Sequence, residues 1–88
     1  MTVENSVEVR DSQGNEVVEG SEIKPGFVYF EIDTKPGSKV EVLVNGDVKV
    51  SHVGGGATLG LPFKTGRYIT VIKFQHQDEE KKLTFTVA

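Results

Sequence analysis

An 88-residue chain without cysteine has room for one small domain, and two would each be too small to hold a core without metals or crosslinks. Disulfides, thiolate metal sites and a cysteine nucleophile are excluded, while the redox compartment stays open. A formal net charge of -3, from 13 acidic and 10 basic residues spread along the chain, offers no basic run to track a phosphate backbone and argues against nucleic-acid binding.

No apolar run approaches the roughly 18 residues a membrane helix needs, so membrane insertion is not expected. The opening MTVENSVEV lacks the charged and then apolar pattern of a signal peptide. The expectation is a single domain over residues 1–88, excised from a larger protein.

The chain begins with alternation, Val7 and Val9 on one side and Ser6, Glu8 and Arg10 on the other, until the polar cluster Asp11-Ser12-Gln13-Gly14-Asn15 supplies a turn. Glu16-Val17-Val18-Glu19 resumes the extended pattern, which predicts a first strand split in two by that turn. Ile23-Lys24-Pro25-Gly26 reads as a turn, proline fixing φ and glycine accepting φ > 0. In the strand that follows, Val28, Phe30 and Ile32 face inward. Phe27, Tyr29, Glu31 and Asp33 face out, the two aromatics in partial shelter.

A second Lys-Pro-Gly, from Lys35 to Gly37, opens the next strand, in which Val40, Val42 and Val44 point in and Glu41, Leu43 and Asn45 point out. Asn45-Gly46 is the strongest short-range hairpin signal, because both residues tolerate the positive φ of a type I′ turn. It should join Val40–Val44 to Val48–Val50. Gly54-Gly55-Gly56 reads as a loop crossing between sheets, and it lacks the lysine-serine/threonine ending and following helix of a phosphate loop. Ala57, Leu59 and Leu61 then face inward on a short strand that Pro62 is expected to stop.

The stretch from Pro62 to Phe74 carries the longest strand signal. Tyr68, Thr70, Ile72 and Phe74 share one face, and Ile69, Val71, Lys73 and Gln75 share the other. Apolar groups on both faces place this strand in the middle of a sheet. After the polar run His76-Gln77-Asp78-Glu79-Glu80, the last strand turns Leu83, Phe85 and Val87 inward. The expected core is Val28, Phe30, Ile32, Val40, Val42, Leu59, Tyr68, Ile72, Phe85 and Val87. About seven short strands with turn signals between them predict an all-β, antiparallel Greek-key sandwich.

Two stretches resemble a known family. Leu61-Pro62-Phe63-Lys64-Thr65-Gly66-Arg67-Tyr68-Ile69-Thr70-Val71 is similar to the turn and strand of immunoglobulin-like domains in which Gly-x-Tyr forms a tyrosine corner. Asp11-Ser12-Gln13-Gly14-Asn15-Glu16-Val17 is similar to the turn that splits the first strand of bacterial immunoglobulin-like repeats. The cysteine pair and buried tryptophan of antibody domains are missing, with Thr70 where the second cysteine would fall. The resemblance implies an immunoglobulin-like fold with Gly66 and Tyr68 at its corner, the phenol bonded to backbone near Phe63 or Lys64. It also implies a spacer or adhesive module at a bacterial surface or in a secreted multidomain protein.

Chemistry is sparse along this chain. His52 and His76 are the two histidines, and a zinc site would need further ligands near them. Asp33 with Asp47, or Asp78 with Glu79 and Glu80, are acid/base candidates by residue type alone. Ser6, Ser12, Ser21, Ser38 and Ser51 sit at strand edges or turns without a nucleophile elbow. Asp11, Asn15, Asp33, Asp47 and Asp78 lie in predicted turns, but Asp11–Asn15 lacks the spacing and distal glutamate of a calcium loop. No catalytic, metal-binding or cofactor-binding residue is assigned and no enzyme activity is expected.

What remains is contact. Leu43, Ile69 and Val71 should emerge together on the outer face of one sheet, bordered by Lys49, Lys73 and Lys82, and meet a neighbouring domain of the same chain or another protein. The alternative is a carbohydrate-binding accessory domain of a secreted enzyme that stacks glycan on Phe27, Tyr29 and Phe63; a phage virion decoration domain is a further reading.

Overall fold

The computed structural model describes residues 6–34, 36–74 and 79–88. Within them the chain forms eight strands: β1 (Ser6–Arg10), β2 (Glu22–Ile23), β3 (Gly26–Asp33), β4 (Lys39–Val44), β5 (Asp47–Val53), β6 (Ala57–Phe63), β7 (Gly66–Phe74) and β8 (Glu79–Val87). They build a three-stranded sheet ordered β1-β3-β6 and a five-stranded sheet ordered β2-β8-β7-β4-β5. Every pairing is antiparallel except β2 with β8, which is parallel.

Alternation decides which face is buried, because successive side chains on a strand point to opposite sides. Val7 and Val9 of β1, Val28, Phe30 and Ile32 of β3, Val40, Val42 and Val44 of β4, Ile72 and Phe74 of β7, and Leu83, Phe85 and Val87 of β8 all turn inward. They form one hydrophobic cluster shared by the two sheets, which gives the molecule its sandwich-like build. Thr70 is fully buried among them, and its hydroxyl donates to the Leu83 carbonyl at 2.8 Å, so the polar group carries no unpaired cost.

The β4–β5 hairpin turns on Asn45 and Gly46, with φ of 50° and 88°. These are the two positive values a type I′ turn needs. Asn45 also ties the hairpin to β7: its amide donates to the Ile69 carbonyl, and its side-chain oxygen accepts the Ile69 amide, both at 2.9 Å. The glycine run after β5 carries the chain from the five-stranded sheet to the three-stranded one.

Five local expectations are corrected. Glu16–Glu19 is not half of a split strand: Glu16 makes one bridge to Arg10, and the Val17 amide donates to the Val9 carbonyl at 2.7 Å. The chain then crosses to β8, where the Gly20 amide and the Glu19 carboxylate engage Thr84, and β2 forms where the sequence reads as the start of a turn. Two residues are too few for a periodic signal, and the exposed edge of β8 supplies the partners.

Pro62 does not end its strand either. β6 runs through Pro62 to Phe63 because it lies at the end of its sheet, where one side needs no donor. On this outlying strand Leu59 and Leu61, like Tyr68 across from them, pack against the core only partly. Finally, β5 extends to Val53 and is irregular, as Val42 pairs with Val50 and Leu43 with Val48, leaving Lys49 as an extra residue.

Candidate functional site

The corner is the best-defined local arrangement. The Tyr68 phenol donates to the Lys64 carbonyl at 2.9 Å, closing the turn that leads from β6 into β7. Gly66 has φ of 156°, a backbone conformation that side chains rarely adopt, so the turn favours glycine for conformation, while a Cβ there would only touch the phenol, 3.4 Å from its oxygen. Phe63 meets Tyr68 edge-on with ring centroids 4.8 Å apart and Phe85 at 5.3 Å. Phe63 is therefore a buried core residue, and it leaves the set of candidate sugar-stacking rings.

A cleft of about 240 Å³ opens beside this corner, lined by Val44, Lys49, Leu61, Pro62, Phe63 and Tyr68. Lys49 thus stands at the seam between the sheets rather than at the border of the outer patch. The extra residue in β5 reverses the alternation that places it on the other side.

The structure brings Leu43 and Val71 together as direct cross-strand partners on β4 and β7. Val48 continues the row beyond Leu43 and Lys82 beyond Val71. Ile69 follows two positions along β7, opposite Thr84, and is 43% exposed, while Val48 is 52% exposed. Leu43 and Val71 are half-buried, each sheltered by its neighbours in the row. Val48 belongs to this patch, and sequence alternation alone hides it, because the irregular pairing sets its register.

The outer face of the three-stranded sheet has a different character. Phe27 and Tyr29 stand on β3 with ring centroids 6.3 Å apart and planes inclined by 20°, and they are 51% and 40% exposed. Tyr29 pairs with Arg10 on one side and Gly60 on the other, and Phe27 pairs with Pro62. The Arg10 guanidinium is committed: it donates to Glu8 at 3.1 Å, to Glu31 at 3.4 Å and to the Gly14 carbonyl at 3.2 Å. The hydrogen bond to Glu8, and then that to Glu31, raise its pKa above the ordinary arginine value.

Comparison with protein-family models, curated proteins and solved structures finds no match.

The remaining candidates are dispersed. His52 is half-buried on β5 opposite Val40, and His76 lies outside the described residues, as do Asp78 and the Glu79 side chain. Asp33 closes β3 and Asp47 opens β5, at opposite ends of β4, so they form no acid/base pair. The Asp11 carboxylate accepts the amides of Gln13 and Asn15, both at 2.9 Å, and so braces its own turn. The Ser21 hydroxyl accepts the Val18 amide in the same way. Among the described residues no cluster of three or more histidine or acidic side chains could hold a metal ion.

Proposed function

We propose that this chain is an immunoglobulin-like structural and interaction module without catalytic activity, one link of a surface or secreted multidomain protein. Its outer contact face is built on Leu43, Ile69 and Val71. The observation that carries the reading is the row Val48–Leu43–Val71, with Ile69 beside it, apolar on the side of the five-stranded sheet that faces away from the core. Such a row on a sheet already buried on its other face is suited to covering by a second protein surface.

Support for the immunoglobulin-like part comes from connectivity. A first strand belongs to one sheet, and the chain then adds a short parallel strand to the last strand of the other. The Tyr68 phenol is bonded at the turn into the penultimate strand, as in a tyrosine corner. Extracellular placement rests on the family resemblance.

The test is to introduce Leu43→Glu and Val71→Glu into the protein that carries this domain and to measure folding and interdomain or partner affinity together. The expected outcome is intact folding with affinity weakened by about tenfold or more, as for charges forced into an apolar contact. Unchanged affinity in folded variants refutes the contact face.

A further inference from the structure

On the opposite side of the molecule, two large aromatic rings stand beside Pro62 on the outer face of the three-stranded sheet, whose further positions are polar. Neighbouring register positions on that face hold Glu8, Glu31 and Thr58, with Ser6 and Asp33 beyond them. Gly60 lies under Tyr29: a Cβ on Gly60 would come within 3.1 Å of Tyr29 Cε1 and 3.2 Å of Cδ1, and within 3.8 Å of Phe27 Cδ1. Glycine inside a strand weakens it, and such a position is kept where something must approach the backbone closely. Here the ring of Tyr29 settles toward the sheet beside Phe27, and the pair forms a low shelf.

We infer that Phe27 and Tyr29 form a binding platform for a neutral glycan. The apolar face of a sugar ring stacks on aromatic rings, and its hydroxyls donate to acceptors at the rim. Glu8 and Glu31 provide carboxylate acceptors within the rows that adjoin the rings. An anionic ligand fits poorly. Arg10, the cation in the row of Tyr29, is engaged by both carboxylates and by the Gly14 carbonyl, and the surrounding charge is acidic. A nucleobase would stack equally well on the rings, but its phosphates would meet that acidic rim. A protein partner is better served by the aliphatic row across the molecule, so this inference stands independently of the contact face.

The experiment is native affinity electrophoresis of the chain through gels containing soluble mixed-linkage β-glucan, xyloglucan, galactomannan or arabinoxylan, with heparin and a thymidine oligonucleotide as anionic probes. Retardation is expected by at least one neutral polysaccharide and by neither anionic probe. Phe27→Ala and Tyr29→Ala should each weaken it by about tenfold, the scale of one lost stacking ring. Gly60→Ala should also weaken it, since the added methyl lifts the Tyr29 ring while both aromatics remain. Leu43→Glu should leave it unchanged. Circular dichroism melting checks each fold, and Phe27→Ala carries the test if Tyr29→Ala, which uncovers Gly60, does not fold. The proposal is overturned by the absence of retardation in all neutral gels, by retardation that folded Phe27→Ala keeps, or by retardation confined to the anionic probes.

Discussion

The Tyr68 phenol reaches back to the carbonyl of Lys64, four residues earlier, and bonds it at 2.9 Å. That bond closes the turn between β6 and β7, next to the edge-on contact of Phe63 with Phe85. Tyr68→Phe keeps the ring and removes the donor. Chemical denaturation should register a loss of about 1 kcal/mol, with the fold retained. A stability equal to that of the parent chain would show that water replaces the bond at no cost.

Phe30 is fully buried at the centre of β3, flanked by Val9 of β1 and Leu59 of β6. Phe30→Ala should cost about 3 to 5 kcal/mol, much of the stability available to so small a domain. The denaturant midpoint measures it. A loss below about 1 kcal/mol would mean that the ring does not occupy the core, as a one-residue slip of register would produce.

Asn45 combines a φ of 50° with a side-chain oxygen that accepts the Ile69 amide. Asn45→Gly keeps the conformation and drops only the side-chain bond, whereas Asn45→Ala loses the bond and adds backbone strain. The alanine variant should be less stable than the glycine variant by about 1 kcal/mol. Equal stabilities by thermal or chemical melting would refute the strain.

Leu43→Glu places a carboxylate opposite Val71 on the outer face of the sheet. In the isolated chain the cost should stay near or below about 1 kcal/mol, because a cross-strand pair on a half-solvated face contributes no more than that. The same substitution at Val42, which is fully buried, should unfold the domain outright. Comparison of the two melting curves checks the assignment of faces.

The strands that turn one full face to the core are readable from the sequence for a single reason: burial on one side forces a period of two, as in Val28-Tyr29-Phe30-Glu31-Ile32. The Asn45-Gly46 turn is readable because its backbone excludes most other residues. Where structure depends on a partner, the local signal fails. β2 exists because β8 offers an edge, and Pro62 is accommodated because β6 ends its sheet.

The candidate surfaces follow the same division. Alternation assigns Leu43, Ile69 and Val71 to one side, but Val48 joins them through a register shift that no local pattern announces. Phe63 carries the same aromatic signature as Phe27 and Tyr29, yet it lies on the opposite side of its sheet because the strand continues through Pro62. Only the pairing of β3 with β6 distinguishes the ring that packs from the rings that stand out.

The irregular residue in β5 also bears on how copies of this protein behave at high concentration. β5 and β6 each end a sheet, and Lys49 of one and Pro62 of the other line a common cleft; an unprotected sheet end can recruit further strands. Lys49 breaks the cadence of one border and brings a charge to the seam, while Pro62 withholds a donor from the other. Both borders are blunted where they come closest, by residues that add nothing to the hydrophobic interior. A chain with Lys49 deleted and Pro62 replaced by valine would regain two smooth borders. Such borders would pair edge to edge with further copies and favour growth into fibres.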